Sequence, residues 1–224
     1  MIYIVSHIPL SEDKYNNPDY KILPVGQTYT SHGEDNINNL NLYINELTGF
    51  YYLWKNCNDE YIGINHYRRI FVDNSGKWIS INDAKDIIDY RGFDIICTPL
   101  YKEYISLENT LTMQHKVDER VLKKYLNILY TREHGLQNYF HNTVEFNPKN
   151  MLICKKDIFD RYCSWLFPLI LPIVDIFIHE DVNNTIEKRL LGFIFERLLT
   201  YWISKEYLHK YSLEVHQLST DMYK

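Results

Sequence analysis

The chain is poor in the residues that staple small folds, anchor membranes or mark the commoner nucleotide sites. It has 4 cysteines in 224 residues, and Cys57, Cys97, Cys154 and Cys163 form no C-x-x-C pair and match no zinc spacing. A disulfide scaffold and a zinc module are therefore not expected; free thiols in a reducing cytoplasm are. Glycine (8) and proline (7) are scarce and 46% of residues are hydrophobic, so the chain reads as packed rather than disordered. The start, "MIYIVSHIPL", has no basic region ahead of an apolar run, so no signal peptide is expected. The most apolar window, "WLFPLILPIVDIFI" at 165–178, carries two prolines and an Asp and falls short of the roughly 20 residues of a membrane span. A buried helix end and turn is the expectation there, with contact at a membrane surface as the alternative.

Other absences narrow the chemistry. No G-x-x-x-x-G-K-[ST] or G-x-G-x-x-G is present, so P-loop and dinucleotide sites are not expected. No G-x-S-x-G or H-E-x-x-H is present. The 9 histidines do not fall at metal-ligand spacing, and there is no D-x-D. The net charge of −5 argues against a nucleic-acid partner, although a local basic pocket is compatible with it.

What the chain does have is tyrosine, 20 residues of it. Stacking on sugar rings is one use of such a surplus; a compositional bias with no function is the other reading. Residues 2–6 read as a β-branched strand, and "KILPV" as a second extended piece. Leu40, Ile44, Leu47, Tyr51 and Trp54 recur at helical steps, which predicts a helix over 40–54. Residues 61–66 read as a buried strand and "FDIICTPL" as another. Ser80 with Asp83 predicts a capped helix that stops at Gly92. Helices follow at 117–130 and after Asp157, with a last long one over 182–204, and "NMLICKK" (150–156) is a strand. Short apolar strands alternating with helices indicate an α/β fold with a mainly parallel sheet.

Ligands of such sheets bind beyond the carboxyl ends of strands. Two strand ends stand out: Ser6-His7, and "NHYRR", Asn65 to Arg69. Paired guanidinium groups at a strand end suit a phosphate; a surface arginine pair facing local carboxylates such as Asp73 is the plainer alternative. On the 40–54 helix, Asn41 and Asn45 share a flank, with Glu46 about a quarter-turn away. On the last helix, Arg189, Gly192 and Glu196 share the face opposite the apolar one. A glycine inside a helix costs about 1 kcal/mol relative to alanine, so close approach of another group there is one reading. An ordinary solvated face is the other.

Four segments together, "NLNLYINELTGFYYLWKN", "YIGINHYRRIF", "NPKNMLICKKDIFDRYCSWLF" and "RLLGFIFERLLTYWI", resemble a bacterial family of capsular and exopolysaccharide glycosyltransferases formerly described only as a domain of unknown function. The likeness runs from "YIVSHIP" to about Ile203, with Ile64-Asn65 where members often carry Leu-Cys and a short loop between Arg69 and Trp78. It implies a GT-A-like nucleotide-sugar-binding fold, a mostly parallel mixed sheet with a helical C-terminal part, and one domain over 1–224. Residues 1–100 would bind the donor, and 101–224 would supply the helical, acceptor-side half.

The resemblance further implies a nucleoside diphosphate sugar as donor, UDP-linked, with galactofuranose or another hexose. The acceptor would be a lipid-linked glycan of a capsule, O-antigen or cell-wall polysaccharide. Cytoplasmic placement with transient contact at the inner membrane face would follow. With no D-x-D, Arg68 and Arg69, helped by His66, are expected to take over part of a metal's task at the leaving diphosphate, or one arginine packs inward against Glu46. Metal dependence should be weak, with manganese or magnesium carried by the donor phosphates as the competing view. His7, Asn41, Asn45, Glu46, His66 and Tyr67 are the expected donor-binding residues. Glu196 is the expected base, and Arg189, Arg197 and Asn150 lie on the acceptor side. Glu46 is the runner-up as base, more at home on donor hydroxyls or an arginine. A non-catalytic protein that binds nucleotide sugar or glycan would keep the same arginines and aromatics.

Overall fold

The structure is a computed structural model describing residues 1–29, 34–115, 117–180 and 188–219. Its centre is an eight-stranded sheet. Strand β3 (Tyr61–His66) is flanked by β1 (Ile2–Ser6), which pairs outward with β2 (Tyr20–Pro24), and by β8 (Leu152–Lys155). Beyond β8 lie β5 (Ile95–Cys97) and β9 (Lys210–Ser212). The short β4 (Arg69–Phe71) turns back on the end of β3 and carries β10 (Val215–Gln217). Strands β1, β2, β3, β5, β9 and β10 run one way, and β4 and β8 run against them. A separate ribbon joins β6 (Tyr101–Lys102) to β7 (Glu145–Phe146). Because β8 lies between β3 and β5, residues from the second half of the chain complete the sheet begun by the first.

Strand alternation divides the core in two. Tyr3, Val5, Ile62, Ile64, Leu152 and Cys154 face one layer, and Ile2, Ile4, Tyr61 and Ile153 face the other. Both faces are covered, which is why β1 is buried along its whole length. Gly63 is needed for this closeness: a Cβ there would lie 2.8 Å from Ile2 Cγ1.

The first layer is helical. It contains α2 (Leu47–Asn56), α4 (Leu107–His115), α5 (Glu119–Arg132), α6 (Gly135–Asn142), α7 (Lys156–Ile178), α8 (Leu190–Phe195) and α9 (Leu198–Lys205). The capping box expected at Ser80 and Asp83 forms, at the start of α3 (Ile81–Lys85). Segment 165–178 is not a helix end and turn. It is the second half of α7, which runs 23 residues through Pro168 and Pro172. Pro172 cannot donate to the carbonyl four residues earlier, and Arg132 Nη2 donates to that Pro168 carbonyl instead, at 2.9 Å. Helix α7 is long and apolar enough to cross a membrane by length and composition, but half of its most apolar window is buried in the fold.

The helix expected over 40–54 is broken. A first piece, α1 (Asn41–Ile44), stops at Asn45, whose φ of 52° and ψ of −131° reverse the chain before α2 begins. The Asn41 side chain holds the corner, donating to the Asn45 carbonyl at 2.8 Å and to Thr48 Oγ1 at 2.9 Å. The apolar stripe survives the break because Ile44 and Leu47 stay buried on either side of it. The last long helix is likewise two pieces, α8 and α9, parting at Glu196 and Arg197. Residues 182–187 of that expected helix lie outside the described residues.

Candidate functional site

Strands β1 and β3 end side by side, Val5 paired with His66. Beyond their carboxyl ends lies a cavity of about 280 Å³. His7 enters it from the exit of β1, and His66, Tyr67 and Arg68 enter from the β3–β4 hairpin. Asn41, Asn45 and Glu46 come from the reversed α1–α2 corner, and Arg189 from the start of α8. A second cavity, about 540 Å³, shares His7, Asn41 and Leu42 with the first and continues past Gly26, Asn38 and Asn39.

The hairpin concentrates the charge. His66 pairs with Arg69 across the tight turn Tyr67-Arg68, so the two arginines are not neighbours on one extended strand. Arg68 sits at the turn on the cavity wall, and Arg69 starts the return strand off the wall. The Tyr67 ring stacks on His66 at 4.6 Å between centroids and meets His7 edge-on at 5.1 Å. The Arg68 guanidinium lies 5.1 Å from the Tyr67 ring centre, and its Nε is buried with no hydrogen-bond partner among the described residues.

Arg189 Nε donates to Asn45 Oδ1 at 3.3 Å. Among the described residues, none of Arg68, Arg69 and Arg189 forms a salt bridge with a carboxylate. Three guanidinium groups with no salt-bridged carboxylate among the described residues are an arrangement that suits an anion.

His66 does not add to that positive charge. Burial, then Arg69, Arg68, His7 and Arg189, push its pKa down to about 3. The Arg68 backbone N–H donates to His66 Nδ1 at 3.4 Å, so the neutral ring carries its proton on Nε2. The cationic role expected of His66 is thereby corrected: it is a neutral hydrogen-bonding group. His7 is shifted down as well, by burial and by Arg189 and Arg68.

Two carboxylates lie next to the cations and are held differently. Glu46 is on the cavity wall, and its Oε1 accepts from Asn150 Nδ2 at 2.9 Å. Burial first, and then the charge of Glu196, push its pKa up to about 7 against the opposing pull of Asn150 and Arg189. Glu196 does not line the cavity, and its Oε1 accepts the Lys149 backbone N–H at 2.5 Å. Lys149 and Asn150, with φ of 80° and 47°, and Asn45 supply three of the four left-handed non-glycine residues described. All three touch this carboxylate pair or the corner beside it, and strained backbone of this kind gathers at working sites. Gly192 is explained here too. A Cβ on it would lie 2.0 Å from Asn45 Nδ2, so the close approach is that of Asn45 itself.

Of the residues singled out in the sequence, the cavity wall brings together His7, Asn41, Asn45, Glu46, His66, Tyr67, Arg68 and Arg189. The Asn41 amide nitrogen is already taken by the corner it holds. Of the residues expected on the acceptor side, Arg189 lines the cavity beside Asn45. Asn150 is 2% exposed and braces Glu46. Arg197 is 1% exposed, donates to the Phe193 carbonyl at 2.6 Å and lies 4.5 Å from the Phe146 ring centre, so it is a core residue. Lys149 was overlooked in the sequence, although Asn147-Pro148 just before it is a turn signal. Among the described residues, no three His, Cys, Asp or Glu side chains converge as metal ligands.

The chain matches the family described as "Domain of unknown function (DUF4422)" over residues 1–207, and it belongs to that family. No curated protein matches it. Its fold is similar to the apo structure of the bifunctional glycosyltransferase WbbM, with a TM-score of 0.80 at 22% identity. The match covers 97% of this chain and 45% of the WbbM chain, so this chain spans less than half the length of that protein. The likeness is one of fold, and it supports the GT-A-like architecture implied by the sequence motifs.

Proposed function

We propose that the chain is a glycosyltransferase, moving a hexose from a nucleoside diphosphate to a hydroxyl of a growing polysaccharide. The observation that carries this reading is the cluster of Arg68, Arg69 and Arg189, which has no salt-bridged carboxylate among the described residues, at the carboxyl ends of β1 and β3. A leaving diphosphate is the anion such a cluster suits. Cations fixed in a partly buried site stabilise the charge that develops as the glycosidic bond breaks. The larger adjoining cavity, reached past His7 and Asn41, has room for the nucleoside.

In finer terms, the donor is UDP-linked, galactofuranose or another hexose, and the acceptor a lipid-linked capsular, O-antigen or cell-wall glycan met at the inner membrane face. Asn45, His66 and Tyr67 orient the donor. No protein-held divalent ion enters the scheme, because the donor set on the wall is cationic and amide-rich rather than acidic. An ion carried by the donor's own phosphates would be a substrate component.

The test is a panel of UDP-, GDP- and dTDP-hexoses incubated with the full chain, reading release of the nucleoside diphosphate. Release from one base class in preference to the others is expected. Tight binding of a nucleotide sugar with no turnover in the presence of polysaccharide acceptors would instead favour a non-catalytic carrier.

A further inference from the structure

We propose that Glu46 is the general base of the transfer and that Glu196 is a positioning residue acting through it. This inference rests on the transferase reading above.

The assignment begins with access. Glu46 lines the cavity together with Arg68 and Arg189, whereas Glu196 is off the wall with an oxygen committed to the Lys149 backbone N–H. A base must come within hydrogen-bond reach of the proton it removes, and of the two carboxylates Glu46 is the one that lines the cavity. The reversal at Asn45 is what places Glu46 there. A continuous helix would have carried Glu46 on around the axis, away from Asn45. Asn150, itself in the left-handed region, then fixes Glu46 Oε1 from inside the fold.

The electrostatics are consistent with this division of labour. Glu196 and burial raise the proton affinity of Glu46, while Asn150 and Arg189 lower it. Arg69 adds a further positive charge facing both carboxylates, and Lys149 faces Glu196. The same wall also carries Arg68, His7 and the neutral His66. The balance near neutrality is where a general base is most effective.

The step closes without a co-reactant. The acceptor hydroxyl oxygen bonds to the anomeric carbon while its proton passes to the Glu46 carboxylate. The bond from the anomeric carbon to the donor phosphate oxygen breaks, and its electron pair leaves with the nucleoside diphosphate. Arg68 and Arg189 meet that charge, and Glu46 later returns its proton to water.

The deciding experiment compares wild type with Glu46→Gln, Glu196→Gln and Asn150→Ala. It reads UDP binding by calorimetry and nucleoside diphosphate release from the same donor panel across about pH 5 to 9. Glu46→Gln should still bind UDP and lose about 10²–10⁴ in turnover. Glu196→Gln removes a like charge, so it should stay active with its acidic limb moved to lower pH. Asn150→Ala removes a donor to the carboxylate, so its acidic limb should move to higher pH. These opposite displacements decide the matter even if Glu46→Gln does not fold. Near-normal turnover in Glu46→Gln, loss of activity in Glu196→Gln, or acidic limbs that do not move would overturn the assignment while leaving the transferase intact. A wild-type protein that turns over no member of the panel would overturn the transferase reading, and this assignment with it.

Discussion

Glu133 and Glu46 are both carboxylates set among the helices, and they are held in opposite ways. Glu133, at the end of α5, accepts from Trp165 Nε1 at 3.2 Å, Tyr201 OH at 2.9 Å and Lys205 Nζ at 2.6 Å. Burial works against its charge, but Lys205, Trp165 and Tyr201 outweigh it and hold the pKa below its ordinary value. Glu46 has one side-chain donor among the described residues, Asn150, and a second carboxylate for a neighbour, and its pKa rises. The same contrast holds for the cations: Lys205 is paired with Glu133, while Arg68 forms no salt bridge among the described residues. Polar groups that are satisfied within the fold fasten helices together. Those left short of partners, at the open end of the sheet, are available to a ligand.

The comparison is broken most severely by removing the unpaired cations. Arg68→Ala and Arg189→Ala should each lose about 10²–10³ in turnover, as expected for a lost contact to developing charge. Their thermal stability should be little changed. A melting temperature that falls while turnover per folded molecule holds would mean that these arginines are structural, like Lys205.

Glu133→Gln should show the reverse pattern. It weakens several charge-assisted hydrogen bonds and should cost about 1.5–3 kcal/mol of stability, read by urea unfolding, with turnover per folded molecule unchanged. The folded-state pKa of Glu133 is depressed, so its stabilisation is present above pH 4.5 and lost as pH falls below that value. The gap between wild type and variant should therefore narrow in acid.

Glu46→Gln should change stability with the opposite sign. The folded pKa of Glu46 is raised from 4.5 to about 7, so its contribution is fully present below 4.5 and is lost as pH rises through 7. The variant escapes that loss and should be more stable than wild type above pH 7, by about 0.5–2 kcal/mol. At pH 4.5 the two should unfold alike. A variant less stable than wild type at alkaline pH would place Glu46 with Glu133, as a fastener.

The smallest effect concerns divalent ions. With guanidinium groups at the leaving diphosphate, a chelator should reduce turnover by less than about tenfold. Activity that vanishes with chelator and returns with manganese would transfer the electrostatic role from the arginines to a metal.

Much of this arrangement was readable in the chain, and the unread parts have physical causes. Alternation and β-branching marked β1 and β3, and the abrupt polar run after Ile64 marked the cavity at the end of β3. The reversal at Asn45 was hidden because an apolar stripe does not register a break that keeps its buried residues in line. Arg189 and Glu196 flank opposite ends of α8, and helical angles alone do not say which of them meets a cavity formed by other segments. Arg197 was expected on the acceptor side because it is charged and lies beside Glu196; the Phe146 ring and the Phe193 carbonyl enclose it instead. His66 looked cationic beside arginines, and those same arginines are among the causes that keep it neutral.

The central claim is that the open end of β1 and β3 holds a diphosphate on unpaired arginines, and paired calorimetric titrations test it most directly. Wild type and Arg68→Ala would each be titrated with UDP and with UMP at fixed ionic strength. Wild type should bind UDP at least about tenfold more tightly than UMP, since the second phosphate gains charge-assisted hydrogen bonds. That preference should collapse in Arg68→Ala while UMP binding is retained. Equal affinity of wild type for the two nucleotides, or a diphosphate preference that survives in Arg68→Ala, would contradict the account.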